Sequence, residues 1–577
     1  MLTPTALVAS AIPLYLLWSA LSLYTNVRRA KATGLRVHVS PISTHNLLWI
    51  VFEPLVVRLL EFLGADTVDL LRLAKRNWNF HDRYRVHDLY GKVFAHATPA
   101  GIEVHVADAA ASDELLARKR DFIKPMGMVQ IIDIYGPSVA STDGADWTRH
   151  RRITATPFTE RNNRLVWAEA LRQTGQMLAY FERGIGPNGP STDSFAQDSM
   201  TLTLNILTSA GLGFSCDFRG AEEEKDADTA TAAATSYRDS LAGVLDSFLH
   251  MALVPGFVWS LPPALLPTKL QDFARHKNAL KHFMVGMAEK TRYEGSEHAS
   301  LLSNLVQKNE EARQTASKPS SSGNPVQLGL SDSELYGNIF IYSFAGHETT
   351  AHAVCYAMYL LAAYPDVQDW VAEEAQAVLG TDAALEHLAY DELFPQLKRT
   401  LAVMYETLRL YPPVVSIPKT TGPSAQTLTV NANTPGQLTA TLPAHTYVFP
   451  NVVALQSHPD YWGPDSLTWR PQRWISENQD AQDASEAETF RQPAVKGSFV
   501  SWSDGPRVCP GKKFSQVESV AVMAGMLREH RVEVVPEGGE GEEKARQRVL
   551  DVVEDGELKA TLFMRRPEAV RLRVVKR

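Results

Sequence analysis

The sequence predicts a mainly α-helical protein with a small β-rich part, preceded by one N-terminal transmembrane helix. Three observations carry that prediction. From Asp113 onward, long stretches repeat Leu, Ala, Glu and Arg at helical spacing, with few strand-like runs. Short runs suited to strands lie at Lys92–Phe94, Ile102–Val106 and 426–455, bounded by turn residues such as Pro99-Ala100-Gly101. Residues 2–27 carry no charged side chain.

The apolar run from Ala6 to Tyr24 contains one Pro13. About 20 helical residues cross the ~30 Å hydrocarbon layer of a bilayer. Arg28, Arg29, Lys31 and Arg36 follow at once, which predicts a single pass with the body in the cytosol. A cleaved signal peptide would carry its positive charge before the apolar run, and here the charge comes after it. A second apolar stretch, Asn46 to Leu63, is interrupted by Glu53, Pro54, Arg58 and Glu61. It reads as a segment on the membrane surface, with a buried helix of the body as the alternative. The expected organisation is an anchor over 1–27, a basic linker and surface segment over 28–65, and one catalytic body over 66–577.

Within the body, Ser331-x-x-Glu334 is a capping box that opens a helix, and Pro365 closes it after Ala363. A helix so long and apolar has to cross the core. Residues 314–330 are Ser/Pro/Gly/Gln-rich and read as a flexible connection. Lys512 to His530 reads as a helix, and Glu537 to Arg548 as a charged, solvated loop.

Composition narrows the chemistry. The net charge of −8 argues against nucleic acid as the main partner. The three cysteines, Cys216, Cys355 and Cys509, show no C-x-x-C spacing. That excludes a zinc ribbon, covalent haem attachment and a disulfide framework. No N-x-S/T sequon occurs, in keeping with a body outside the secretory lumen.

The most informative segment is Trp502-Ser503-Asp504-Gly505-Pro506-Arg507-Val508-Cys509-Pro510-Gly511. It sets one cysteine on a tight loop just before a helix. A thiolate there feels the positive end of the helix dipole and stays available as a metal ligand. The segment resembles the haem-binding loop of the cytochrome P-450 superfamily, F-x-x-G-x-R-x-C-x-G. Gly505, Arg507, Cys509 and Gly511 fall on its fixed positions, and Trp502 replaces the usual Phe. The resemblance implies a cytochrome P-450 fold and haem b (iron protoporphyrin IX) with Cys509 as the axial iron ligand.

Further motifs follow the family's order. Ala345-Gly346-His347-Glu348-Thr349-Thr350 resembles its oxygen-activation motif. Small Ala345 and Gly346 permit close approach to the helix backbone, and Gly346 costs about 1 kcal/mol relative to Ala, which invites a reason. Thr349 offers a hydroxyl that can hold an ordered water, and Glu348 can relay solvent protons. The same stretch nearly spells the zinc-protease motif H-E-x-x-H. His347 and His352 are, however, five residues and so about 140° apart around a helix, and cannot share a metal.

Glu406 and Arg409 lie one helical turn apart, before Tyr411-Pro412-Pro413. They resemble the family's E-x-x-R, which bonds to a later arginine, here Arg473, in a structural role. Trp147 and Arg151 resemble the W-x-x-x-R that serves the haem propionates, and Arg507 is implied to do the same. Lys419 stands where relatives often carry Arg. Stretches such as Asp146–Phe158 look most like fungal microsomal members.

The resemblance implies an endoplasmic-reticulum monooxygenase of specialised metabolism that inserts one oxygen atom from dioxygen into a lipophilic substrate. NADPH-cytochrome P-450 reductase would supply electrons, with cytochrome b5 as a second donor, since no dinucleotide or flavin fingerprint is present. Lys512 and Lys513 offer positive charge to such an acidic partner. Two other readings are a haem-thiolate isomerase or dehydratase acting without a reductase, and a non-catalytic haem-binding protein. The intact Glu348-Thr349 pair counts against the first, and the full set of active-site residues against the second.

Overall fold

The structure of the chain is a computed structural model. It describes residues 4–44, 46–62, 72–183, 191–221, 237, 239–245, 254, 258, 261–262, 265–294, 300–316, 328–381, 384–477 and 488–577. The chain forms two compact units. One comprises 1–125, 414–468 and 493–509, and the other 126–413, 469–492 and 510–577.

The first unit begins with helix α1, Pro4–Lys31. Its last turns are docked rather than free. Asn26 Nδ2 donates to the Thr98 carbonyl at 2.9 Å, Arg29 donates to the Ala444 carbonyl at 2.9 Å, and Ala30 is fully buried. Upstream, Leu14, Leu16, Leu17, Trp18, Leu21 and Tyr24 are exposed. The expected span over 2–27 falls in part on residues 1–12, whose side chains lie outside the described ones. Among the described residues no helix is long and apolar enough to cross a membrane. From Pro13 to Asn26 too few apolar residues remain to span ~30 Å.

Helix α2, Leu47–Phe62, carries an exposed apolar stripe of Phe52, Leu55, Leu59 and Phe62. Glu53 turns inward and accepts from the Arg76 amide at 3.1 Å. The expected start of the body near Asp66 lies outside the described residues, as do Leu63 and residues 317–327 of the expected connection. Residues 314–316 belong instead to a helix, Leu301–Ala316.

The β-rich part lies in this unit. Its strands are β1 (Arg36–Val39), β2 (Val93–Thr98), β3 (Gly101–Val106), β4 (Lys419–Thr420), β5 (Gln426–Val430), β6 (Leu438–Leu442) and β7 (Tyr447–Pro450). Five of them form one sheet in the order β1-β2-β3-β7-β4, while β5 and β6 form a hairpin. Both strand expectations near residues 92–106 are met, and β2 is buried on both faces. One face packs Val104, Val106 and Ala95 against helix α3, Ala109–Ala117, and the β5–β6 hairpin. Residues 452–457 are helical rather than part of the strand-and-turn run expected there, because Asn451 caps them through the Ala454 amide.

The second unit is built from long helices: α4 (Gly144–Thr154), α5 (Glu160–Glu182), α6 (Phe195–Ile206), α7 (Asp332–Ala363), α8 (Lys398–Leu410), α9 (Lys512–Leu527) and α10 (Glu542–Glu554). Helix α7 is as the sequence predicts. Ser331 Oγ accepts from the Glu334 amide at 3.3 Å and the Glu334 carboxylate accepts from the Ser331 amide at 2.8 Å. The helix runs about 48 Å and is buried over most of its length. Helix α9 lies against α5 so closely that a Cβ on Gly525 would sit 3.2 Å from Leu171.

Two expectations need correction. The charged segment Glu537–Arg548 is a loop only to Gly541, after which α10 begins. Glu542 and Glu543 favour the helix N-terminus, and Ala545, Val549, Val552 and Val553 form a buried stripe at helical spacing. The helix expected to reach His530 stops at Leu527, and His530 opens a strand, His530–Val534, paired with Leu572–Lys576.

Candidate active site

The cysteine loop is fixed by its own backbone. The Cys509 amide donates to the Trp502 carbonyl at 2.8 Å, and the Val508 amide to the Gly505 carbonyl at 3.1 Å. Asp504 accepts from the Gly505 amide at 2.6 Å. Gly505 has φ +65°, and a Cβ there would lie 2.8 Å from the Leu116 carbonyl oxygen of α3. Left-handed φ and close backbone approach both demand glycine. Trp502 packs edge-on against Phe499.

The loop leaves Cys509 exposed. Cysteine is ordinarily among the most buried residues, so a sulfur on an immobilised loop and open to its surroundings fits a thiolate offered to iron. Cys355, in contrast, is buried, and burial pushes its thiol far up. Cys216 is half-buried. Arg507 is half-buried, and Lys419 is buried on β4.

In the second unit, the middle of α7 carries the oxygen-activation motif. Thr349 Oγ1 donates to the Ala345 carbonyl at 2.8 Å, and Thr350 Oγ1 to the Gly346 carbonyl at 3.3 Å. Two such back-bonds in successive residues loosen a helix locally. Ala345 is exposed and Thr349 half-exposed, although the residues before Phe344 and after Thr350 are mostly buried. An opening halfway along a core helix, bordered by a methyl and a hydroxyl, fits a flat macrocycle.

Gly346 has a different reason. A Cβ there would sit 3.1 Å from Leu207, in the π-helical turn that continues α6. The glycine therefore also eases helix packing. Glu348 is half-buried. His347 and His352 point to separate partners, the Ser343 carbonyl at 2.6 Å and the Thr561 hydroxyl at 3.1 Å. Burial lowers both to about 4, so they stay neutral.

Sequence reasoning missed Glu518 of α9. It is completely buried, and burial holds its carboxyl well above the usual range, offset only in part by the Thr350 hydroxyl. A carboxylic acid kept neutral near Thr350 can hold a transferable proton. The signal was the only charged residue in the run Phe514–Met526.

Trp147 of α4 is buried and Arg151 half-buried. The neighbouring Arg149 is spent elsewhere, donating to Glu334 at 2.6 and 2.9 Å. His150 lies 3.3 Å from the same carboxylate and 3.0 Å from Asn338. Burial alone would raise the Glu334 carboxyl, but the bonds from Arg149, the Ser331 amide and His150 bring it down to about 2. The start of α7 is thus anchored to α4. Lys513 lies over the Phe394 ring at 4.1 Å, and burial lowers its ammonium.

The structure brings Glu406, Arg409 and Arg473 together. Arg409 donates twice to Glu406 at 2.8 Å, and Arg473 once at 2.8 Å. The Arg470 amide and the Trp474 indole add bonds of 2.9 Å each. Burial alone would raise the Glu406 carboxyl, but the two guanidinium groups outweigh it and keep it ionised.

A family model described as Cytochrome P450 matches residues 68–557. A cytochrome P450 monooxygenase of Arthrobotrys oligospora is 27% identical, over 94% of this chain and 93% of the relative. A cytochrome P450 monooxygenase of Postia placenta is 30% identical, over 77% and 79%. The phomenoic acid biosynthesis cluster cytochrome P450 monooxygenase of Leptosphaeria maculans is 28% identical, over 92% of each chain.

Proposed function

The chain belongs to the cytochrome P450 family, and from that premise we propose that it is a membrane-anchored monooxygenase acting on a lipophilic substrate of specialised metabolism. Members of the family hold haem through a cysteine thiolate, and the bound group supplies dioxygen activation. The observation that carries the reading is Cys509, exposed on a loop whose glycine cannot be replaced. In this reading Trp147, Arg151 and Arg507 hold the haem propionates, and Ala345 leaves room beside α7. Thr349 positions a water, while Glu348 delivers protons to it. Glu406, Arg409 and Arg473 are structural. The intact Glu348-Thr349 pair favours oxygen insertion over a reductase-free isomerisation.

Electrons are proposed to come from NADPH through a separate reductase, with Lys512 and Lys513, both exposed at the start of α9, offering it positive charge. The specialised-metabolism reading rests on the biosynthesis-cluster relative. The test is incubation of membranes carrying the protein with reductase, NADPH, ¹⁸O₂ and a panel of lipophilic metabolites. A product heavier by one labelled oxygen, formed only with reductase, is expected. Unlabelled product formed without reductase would overturn the reading.

Membrane attachment, proposed to be at the endoplasmic reticulum with the body cytosolic, is supported by the exposed apolar residues of α1 and the apolar stripe of α2. Removal of residues 1–27 is expected to weaken membrane association without abolishing it, as read by salt and carbonate extraction. Full-length protein recovered in the soluble fraction after gentle lysis would contradict the anchor.

A further inference from the structure

Three ligating side chains converge on one face of the five-stranded sheet. His96 of β2 stands directly opposite Glu103 of β3. His105 lies two residues along β3, so it shares that face. His96 Nδ1 is 3.7 Å from Glu103 Oε2, and His105 Nε2 is 3.6 Å from the same oxygen. All three ligand atoms lie within 4.8 Å of one another.

The site is deeply buried. His96 is 1% exposed, and Glu103 and His105 are 5% exposed. Aromatic rings wall it in: Trp78 is edge-on to His105 at 5.0 Å, and Phe94 and Phe449 lie 5.2 and 5.5 Å from it. His38 of β1 pairs in register with His96, with ring centroids 5.1 Å apart.

The distances decide between two readings. Separations of 3.6 and 3.7 Å are too long for hydrogen bonds from an imidazole to a carboxylate. Two ligands of a tetrahedral zinc, each about 2.0–2.1 Å from the ion, lie about 3.3 Å apart. The three atoms are thus set near the corners of a coordination shell rather than in mutual contact. Two imidazoles with one carboxylate suit zinc, whereas magnesium and calcium prefer all-oxygen sites.

We propose that His96, Glu103 and His105 supply three protein ligands of a zinc site within the sheet, with water in the fourth position, separate from the haem-binding cysteine. The ion cross-links β2 to β3 beside Thr98, where the end of α1 is tied down.

The test uses the full-length haem protein in detergent. It is stripped with a chelator, equilibrated with zinc sulfate at micromolar free zinc, and assayed for metal by mass spectrometry. The expected result is about one zinc per chain. Glu103→Gln and His105→Ala should weaken it at least about tenfold, the lower bound already typical of losing an outer-shell partner. His81→Ala, at an exposed histidine, should leave it unchanged. Each variant is checked for its reduced carbon monoxide spectrum to show that it folds. If neither folds, the wild type decides: its thermal midpoint should rise when zinc is restored. A wild type that binds no zinc, or folded variants that bind it as tightly as the wild type, would overturn the proposal.

Discussion

Glu406→Ala is expected to prevent recovery of folded, haem-loaded protein. The carboxylate is fully buried and neutralises two guanidinium groups that are themselves buried or nearly so. Truncation would strand Arg409 and Arg473 without their counter-charge and leave the Arg470 amide and Trp474 indole without their acceptor. Removing one partner of a buried ion pair costs about 3–5 kcal/mol. Net folding stability is typically about 5–15 kcal/mol, so this one change removes a large share of it. The check is thermal and urea unfolding together with haem content. Arg164→Ala is the control, because its pair with Asp391 is more than half exposed on both sides and should leave stability unchanged. If Glu406→Ala unfolds like the wild type, the triad is not a structural keystone.

Thr349→Ala is expected to keep the spectrum and substrate binding while separating electron use from product formation. The Thr349 hydroxyl donates its proton to the Ala345 carbonyl, which leaves its oxygen free to accept a hydrogen bond from water. A positioned proton path of this kind is typically worth about 10²–10⁴-fold in rate. Product formed per NADPH should fall by up to that amount while NADPH oxidation continues and hydrogen peroxide accumulates. Thr349→Ser should restore much of the yield, because it keeps the hydroxyl. Unchanged yield in Thr349→Ala would make the residue ordinary helix packing and revive the reductase-free reading.

What could be read from the sequence was mostly local. The Ser331–Glu334 capping box, the helix it opens and the turn-bounded strands β2 and β3 depend on residues a few positions apart, and they appear as expected. The Glu406–Arg409 pair was visible because one helical turn separates the two charges. Other features depend on tertiary neighbours. Arg149 looked like one of several basic residues on α4 until Glu334, far along the chain, was found against it. Gly346 suggested space for a ligand, and Leu207 adds a packing reason that the sequence did not show. Glu518 needed the contact between α9 and Thr350. His96, Glu103 and His105 carry no motif, because only the strand register sets them on one face. Helix α10 was hidden because its acidic first turn and the preceding glycines resemble a solvated loop.

The central claim is that Cys509 supplies the thiolate to haem iron, and the reduced carbon monoxide difference spectrum tests it most directly. The wild type is expected to show the long-wavelength Soret band of a thiolate-ligated haem, and Cys216→Ala and Cys355→Ala should retain it. Cys509→Ala is expected to lose that band, either by losing haem or by shifting to the shorter-wavelength band of a haem without thiolate. A Cys509→Ala protein that keeps the thiolate band would contradict the account.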